Sequence, residues 1–160
     1  MDKKYELLEE NTIRVEDRTL YRIRALRDFD FVIKGSLGGY IESERNLSHS
    51  GTAWVDDNAR VFENARVYGK AMVFEEASVF GSARVYGEAS VYEEAQIYGE
   101  ALVHGDAWVF GNARVYGKAR VYGSAWVYGS AWVYNKEVYG DTRVSGEARV
   151  LKGLILTNKR

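Results

Sequence analysis

The 160-residue chain carries 22 basic and 23 acidic side chains, no Cys and no Pro, for a formal net charge of −1. That length suits one domain. The charge balance excludes the global basic field of a duplex nucleic-acid binder, and the lack of Cys excludes a disulfide framework and any thiolate nucleophile or metal ligand. No apolar run reaches the ~18 residues a spanning helix needs, and the opening Met-Asp-Lys-Lys-Tyr-Glu has no apolar signal core, so a soluble cytoplasmic protein with no membrane partner is expected.

Residues 1–35 carry no repeat. Thr12–Val15 and Leu20–Ala25 alternate as a hairpin does, with Glu16-Asp17-Arg18 at the turn, and this segment reads as an N-terminal β cap over an otherwise open sheet edge. A repeating body is expected over 36–156. It begins imperfectly: Ile41 and Leu47 are six residues apart, and the eight-residue step from Leu47 to Val55 reads as a coil with a two-residue bulge around Ser48–Gly51.

From Ala53 to Lys136 a six-residue unit, Ala-x-Val-(Tyr/Phe)-Gly-x, recurs fourteen times without a gap. The fourth position is aromatic in twelve units, Asp56 and His104 being the exceptions, and the fifth is Gly in nine. A six-residue period does not fit a helix, and β-branched Val with frequent Gly opposes one. Within each unit the period is two, so Ala and Val face one way and the second residue and the aromatic the other. An antiparallel meander mixes these two sets on each face. A coil that always turns the same way keeps every Ala and Val inside. Three units close a triangular coil of 18 residues, with each Val about 4.8 Å from its counterpart in the next coil. The fold class is therefore all-β, a parallel β-helix (β-solenoid) of about six coils.

The repeat slips once. Eleven residues instead of twelve separate Val133 from Val144, with Val138 or Tyr139 filling the centre between them, and Leu156 reads as the last inward position. The charged tail, residues 157–160, is expected to blunt the second end.

These units resemble those of the hexapeptide-repeat proteins, left-handed parallel β-helices. The segments Leu20-Tyr-Arg-Ile-Arg-Ala-Leu-Arg-Asp-Phe29 and Gly38-Gly-Tyr-Ile-Glu-Ser-Glu-Arg-Asn-Leu-Ser48 narrow the resemblance to uncharacterised prophage and bacterial members, often labelled transferases by fold alone. The resemblance implies a left-handed coil, a bacterial host cytoplasm, and frequent assembly as a homotrimer. It also implies an enzyme alternative, an acyltransferase using acyl-CoA with a His base, for which His104 is the candidate. A third alternative is a structural component of a phage particle.

The 18-residue period sorts the outward side chains into three rows. The first holds Trp54, Met72, Ser90, Trp108 and Trp126 beside Phe74, Tyr92, Phe110 and Tyr128. So many exposed aromatics suggest a self-association face, with Trp54, Phe74, Trp108, Phe110, Trp126 and Tyr128 at its centre, against the plainer reading of ladders that only stiffen the rod. The second holds Arg60, Ser78, Gln96, Arg114 and Trp132 beside Phe62, Phe80, Tyr98, Tyr116 and Tyr134. The third alternates Arg66, Arg84, Leu102 and Arg120 with Tyr68, Tyr86, His104 and Tyr122. Guanidinium groups beside aromatic rings suit a small anionic or nucleotide ligand, base on Tyr and phosphate on Arg, against the plainer reading of solubilising cation–π ladders.

The corner residues Asp57, Glu75, Glu76, Glu93 and Glu94 form a carboxylate ridge, read as a solvated edge in preference to a Ca²⁺ site. His49 and His104 are the only histidines, too few for a three-His zinc centre within one chain. No cofactor and no metal is expected. The reading is a non-catalytic, self-associating β-solenoid that binds a ligand in its outer grooves, such as a signalling nucleotide that it sequesters.

Overall fold

The computed structural model describes residues 2–151 and, as backbone, 154–156. The cap is a hairpin of β1 (Tyr5–Val15) and β2 (Arg18–Ala25), joined by a turn at Glu16 and Asp17 where Glu16 takes a φ of 57°. Strand β3 (Leu37–Ile41) pairs antiparallel with β2 on one edge and parallel with β5 (Arg60–Val61) on the other, so the cap sheet continues into one face of the rod. Two glycines permit this passage. A Cβ on Gly38 would lie 2.5 Å from the Val55 carbonyl oxygen, and one on Gly39 would lie 2.7 Å from that of Ala59.

From β4 (Trp54–Val55) onward the chain is a stack of two- and three-residue parallel strands joined by corners. The register is the expected one. Trp54, Met72, Ser90, Trp108 and Trp126 pair in line on the first face. Arg60, Ser78, Gln96, Arg114 and Trp132 pair on the second. Arg66, Arg84, Leu102 and Arg120 pair on the third. Each strand donates to the coil one step on, as in Arg84 N to Ala101 O (2.9 Å) and Tyr86 N to Val103 O (3.0 Å). The core holds what the repeat placed there: every Ala from Ala53 to Ala131 and every central Val or Ile from Val55 to Val133 is 0–1% exposed. About six coils of some 18 residues stack in this way.

Both irregularities are built as read. Leu47 pairs with Val67, twenty residues on, whereas Val55 pairs with Val73, eighteen on, so two extra residues lie between Leu47 and Val55. At the slip, Val121 pairs with Val138, seventeen residues on, and Tyr139 turns outward at 56% exposure. The second end departs from expectation. Leu154–Leu156 runs antiparallel to Arg149–Leu151, so this segment folds back as a hairpin and does not extend the coil. Three consecutive apolar residues suit either arrangement, which is why periodicity misplaces them. The tail 157–160 lies outside the described residues.

The first coil is sealed by the cap. Asn46, fully buried, accepts at Oδ1 from the Glu42 and Ser43 N–H groups and donates through Nδ2 to the Glu63 and Ala65 carbonyls (3.1 and 2.8 Å). Tyr5 stacks on His49 at 4.1 Å and donates its hydroxyl to the Leu47 carbonyl (2.6 Å). The Lys4 N–H donates to His49 Nδ1 (3.0 Å), which leaves the proton on Nε2 to face Glu44 at 2.7 Å.

Lys4 is itself buried. Its Nζ donates to the carbonyls of Ala53 (2.6 Å) and Gly51 (3.4 Å) and lies 5.1 Å from the Phe29 ring centroid. Burial, and then the charge of Arg27, lower its pKa from 10.5 to about 8. Between those two values the unfolded chain holds the proton that the folded chain has lost, so stability rises with pH across that window. Burial and Glu44 push the Tyr5 hydroxyl up, and this opposes the rise above pH ~10. The thermal midpoint is therefore expected to climb between pH 8 and 9.5 in the natural chain and to stay flatter in Lys4→Met; parallel profiles for the two would contradict this placement of the charge.

Candidate functional site: the three outer faces

On every face the fourth-position rings stack along the rod because the strand spacing sets their separation. On the third, Tyr68–Tyr86, Tyr86–His104 and His104–Tyr122 have centroids 4.9, 4.7 and 5.0 Å apart with planes within 6° of parallel. Tyr139 extends the ladder at 5.4 Å. Ring faces inside the ladder therefore cover one another. A base entering between two of them needs about 7 Å, well beyond the strand spacing of about 4.8 Å that the coil-to-coil hydrogen bonds enforce. Bases can reach only the ring edges or the ladder's ends, a restriction on the expected stacking of a base on Tyr.

His104 sits in this ladder in the place of a Tyr. Partial burial, and then the Arg120 charge, lower its pKa and favour the neutral ring. Among the described residues no carboxylate forms an ion pair with it. A general base is ordinarily oriented by such a partner, and His104 is held by stacking alone.

The third-face arginines, like Arg60 on the second face, differ from those held against Trp rings. Arg143 lies 4.2 Å and Arg149 4.3 Å from the ring centroids of Trp126 and Trp132, and Arg114 lies 5.5 Å from Trp132. These cation–π contacts belong to the first and second faces. Arg66, Arg84 and Arg120 make none among the described residues, and none of them has a carboxylate within ion-pair distance. Arg66 and Arg84 are exposed direct cross-strand partners, so two like charges face each other across one strand spacing. Arg120 has Glu137 as its cross-strand neighbour, with Glu137 accepting from the Tyr122 hydroxyl (2.9 Å). The uncompensated charge thus lies at the Arg66–Arg84 end.

The first face is only partly as expected. Trp108 and Trp126 stack at 4.8 Å, Phe74, Tyr92, Phe110 and Tyr128 form a parallel ladder beside them, and Trp108 is 39% exposed. Trp54 is a correction: it is 1% exposed, beneath Phe29 and Tyr5 of the cap, and cannot belong to an exposed association face. Its row position is right, but the cap covers that end of the row.

The carboxylate ridge has a structural role. Asp57 accepts from the Glu75 N–H (3.0 Å), Glu75 from the Glu93 N–H (3.0 Å) and Glu93 from the Gly111 N–H (2.8 Å). Each of these three carboxylates satisfies a corner amide of the next coil. Among the described residues no group of three or more His, Cys, Asp or Glu side chains is arranged to hold a metal ion.

Two features escaped the sequence reading. Phe31 and Ile33 on the loop before the rod, and Leu37 at the start of β3, are exposed at 62, 68 and 48%, where no periodicity marks them. Arg45, in the single turn Glu44–Asn46, lies beside the third face; the twenty-residue step to Val67 was the available signal.

No helix among the described residues is long and apolar enough to cross a membrane. No curated protein matches the chain. Three overlapping segments, 95–111, 109–123 and 113–129, match the family described as YdcK Beta solenoid repeat. With the fold as built, the chain is a β-solenoid repeat protein, similar over these segments to the YdcK type of repeat.

Proposed function

We propose that this protein is a non-catalytic binding solenoid whose third face takes a nucleotide-type anion and withdraws it from solution. The observation that carries the reading is the Arg66–Arg84 pair, two exposed arginines on strands held in register by the ladder, with no carboxylate partner among the described residues. Like charges so placed are destabilising. An anion removes that cost, and the bidentate forks of Arg suit phosphate. Neighbouring Tyr68 and Tyr86 supply aromatic edges to a nucleotide.

Calorimetry with mono-, di- and cyclic nucleotides at low salt tests this. Binding is expected in the natural chain and at least tenfold weakening in Arg66→Ala/Arg84→Ala, whose thermal midpoint should not fall, because the substitutions relieve a repulsion. Unaltered affinity in the double variant overturns the assignment.

We propose also that the first face joins copies of the chain, most simply as a cyclic trimer, through Trp108, Phe110, Trp126 and Tyr128. The stacked Trp108–Trp126 pair, Trp108 exposed and Trp126 half-buried, supports this. Sedimentation equilibrium should give an oligomer mass that Trp108→Lys reduces; a natural chain that sediments as a monomer at tens of micromolar contradicts it.

A further inference from the structure

We infer that the ligand of the third face sits at the cap end of its aromatic ladder and is a nucleoside diphosphate, with its planar base on the open side of Tyr68 and its two phosphates between Arg45, Arg66 and Arg84. This rests on the reading of the third face as an anion site and locates that site.

Among the described residues the ladder leaves a ring face uncovered by another ring at each end, Tyr68 at the cap end and Tyr139 at the other, and the arginines gather at the Tyr68 end. Tyr68 stacks on Tyr86 on one side. On the other, the Leu47–Val67 pairing brings Ser48 level with Tyr68, where the repeat would otherwise set an aromatic residue. The small Ser leaves a cleft of about 380 Å³ lined by Ser48, Tyr68, Glu44 and the three arginines, within the ~300–1,000 Å³ usual for small-ligand sites. A base stacked here meets neither the spacing limit nor the neighbouring ring that closes the interior of the ladder.

The arginines reach this cleft from separate elements. Arg66 and Arg84 come from adjacent strands of the third face. Arg45 comes from the turn Glu44–Asn46, which the fully bonded Asn46 anchors to the first coil. None of the three has an ion-pair partner among the described residues. Glu44 also lines the cleft, but its carboxylate is engaged by Lys3 (3.1 Å) and His49 (2.7 Å), and those contacts lower its pKa. Three guanidinium forks can take about six oxygens, more than the three of one terminal phosphate, and this favours two adjacent phosphates over one.

The test is calorimetry on the full chain with two probes, ADP and inorganic pyrophosphate. ADP is expected to bind at least tenfold more tightly than pyrophosphate. Tyr68→Ala should erase that difference while leaving pyrophosphate affinity unchanged, and Arg45→Gln should weaken both probes. Nuclear Overhauser contacts between the adenine protons and the Tyr68 ring in the unsubstituted chain give an independent reading should Tyr68→Ala fold poorly. If both probes bind, Arg66→Ala/Arg84→Ala abolishes that binding, and Tyr68→Ala and Arg45→Gln behave as the natural chain, the anion lies along the face; the end site is then overturned and the third-face reading stands. Bound ADP without contacts to Tyr68 overturns the end site in the same way. No binding of either probe to the natural chain overturns both.

Discussion

Val91→Asp is expected to abolish the cooperative unfolding transition or lower its midpoint by about 10 °C or more. Val91 is 0% exposed and pairs with Val73 and Val109 in the inward column of the first face. The interior around it is Ala and Val, with no polar group to receive a carboxylate. An unpaired buried charge costs several kcal/mol, a large part of the ~5–15 kcal/mol that holds a domain together. Each coil of a solenoid contacts only its neighbours, so a broken coil also removes the surface on which the next coils rest. Ser90→Asp, one residue away and facing outward, is the control and should shift the midpoint by no more than about 2 °C. Circular dichroism with thermal melting reads both, and a Val91→Asp midpoint equal to that of the control would contradict an inward valine column.

Gly99→Val should be the second most damaging change, at about 3 kcal/mol or more in urea unfolding. Gly99 turns a corner at a φ of 68°, a region that β-branched residues rarely enter. A Cβ there would also lie 2.7 Å from the Gly117 nitrogen and 3.1 Å from its oxygen, backbone atoms held by the coil-to-coil ladder. Other corners show how a side chain can be accepted. Glu93 takes a φ of 58°, and its carboxylate caps the Gly111 N–H. Valine offers no such hydrogen bond. A Gly99→Val chain as stable as the natural one would mean that the corners do not stack closely.

The body of the fold was legible because its signal is repeated. An Ala and a Val every six residues define the inward columns, and the intervals that break the pattern, Leu47 to Val55 and Val133 to Val144, mark the coils that carry a bulge and a deletion. What was not legible is tertiary or single. Trp54 obeys its row yet is buried, because Tyr5 and Phe29 arrive from a segment with no periodicity. Lys4 looks like any lysine of a polar N-terminus until the cap closes over it. The run Leu154–Leu156 is apolar throughout, so no periodicity tells a hairpin strand from a further coil strand.

The candidate site was half legible. The Arg and Tyr positions of the third row follow from the period, and so does their strand spacing. Which arginine gains a carboxylate as cross-strand neighbour depends on where Glu137 lands after the one-residue slip, and the arrival of Arg45 depends on the bulge. The strand spacing alone dictates that rings one strand apart leave no room for a base between them.

The most direct measurement is a pyrophosphate titration followed by NMR of the arginine Nε–Hε signals, assigned by single substitution. The account predicts saturable shifts for Arg66 and Arg84, with Arg114, Arg143 and Arg149, held against Trp rings, unmoved. Uniform small shifts across all of these arginines, or saturable shifts confined to the Trp-bound ones, would contradict it.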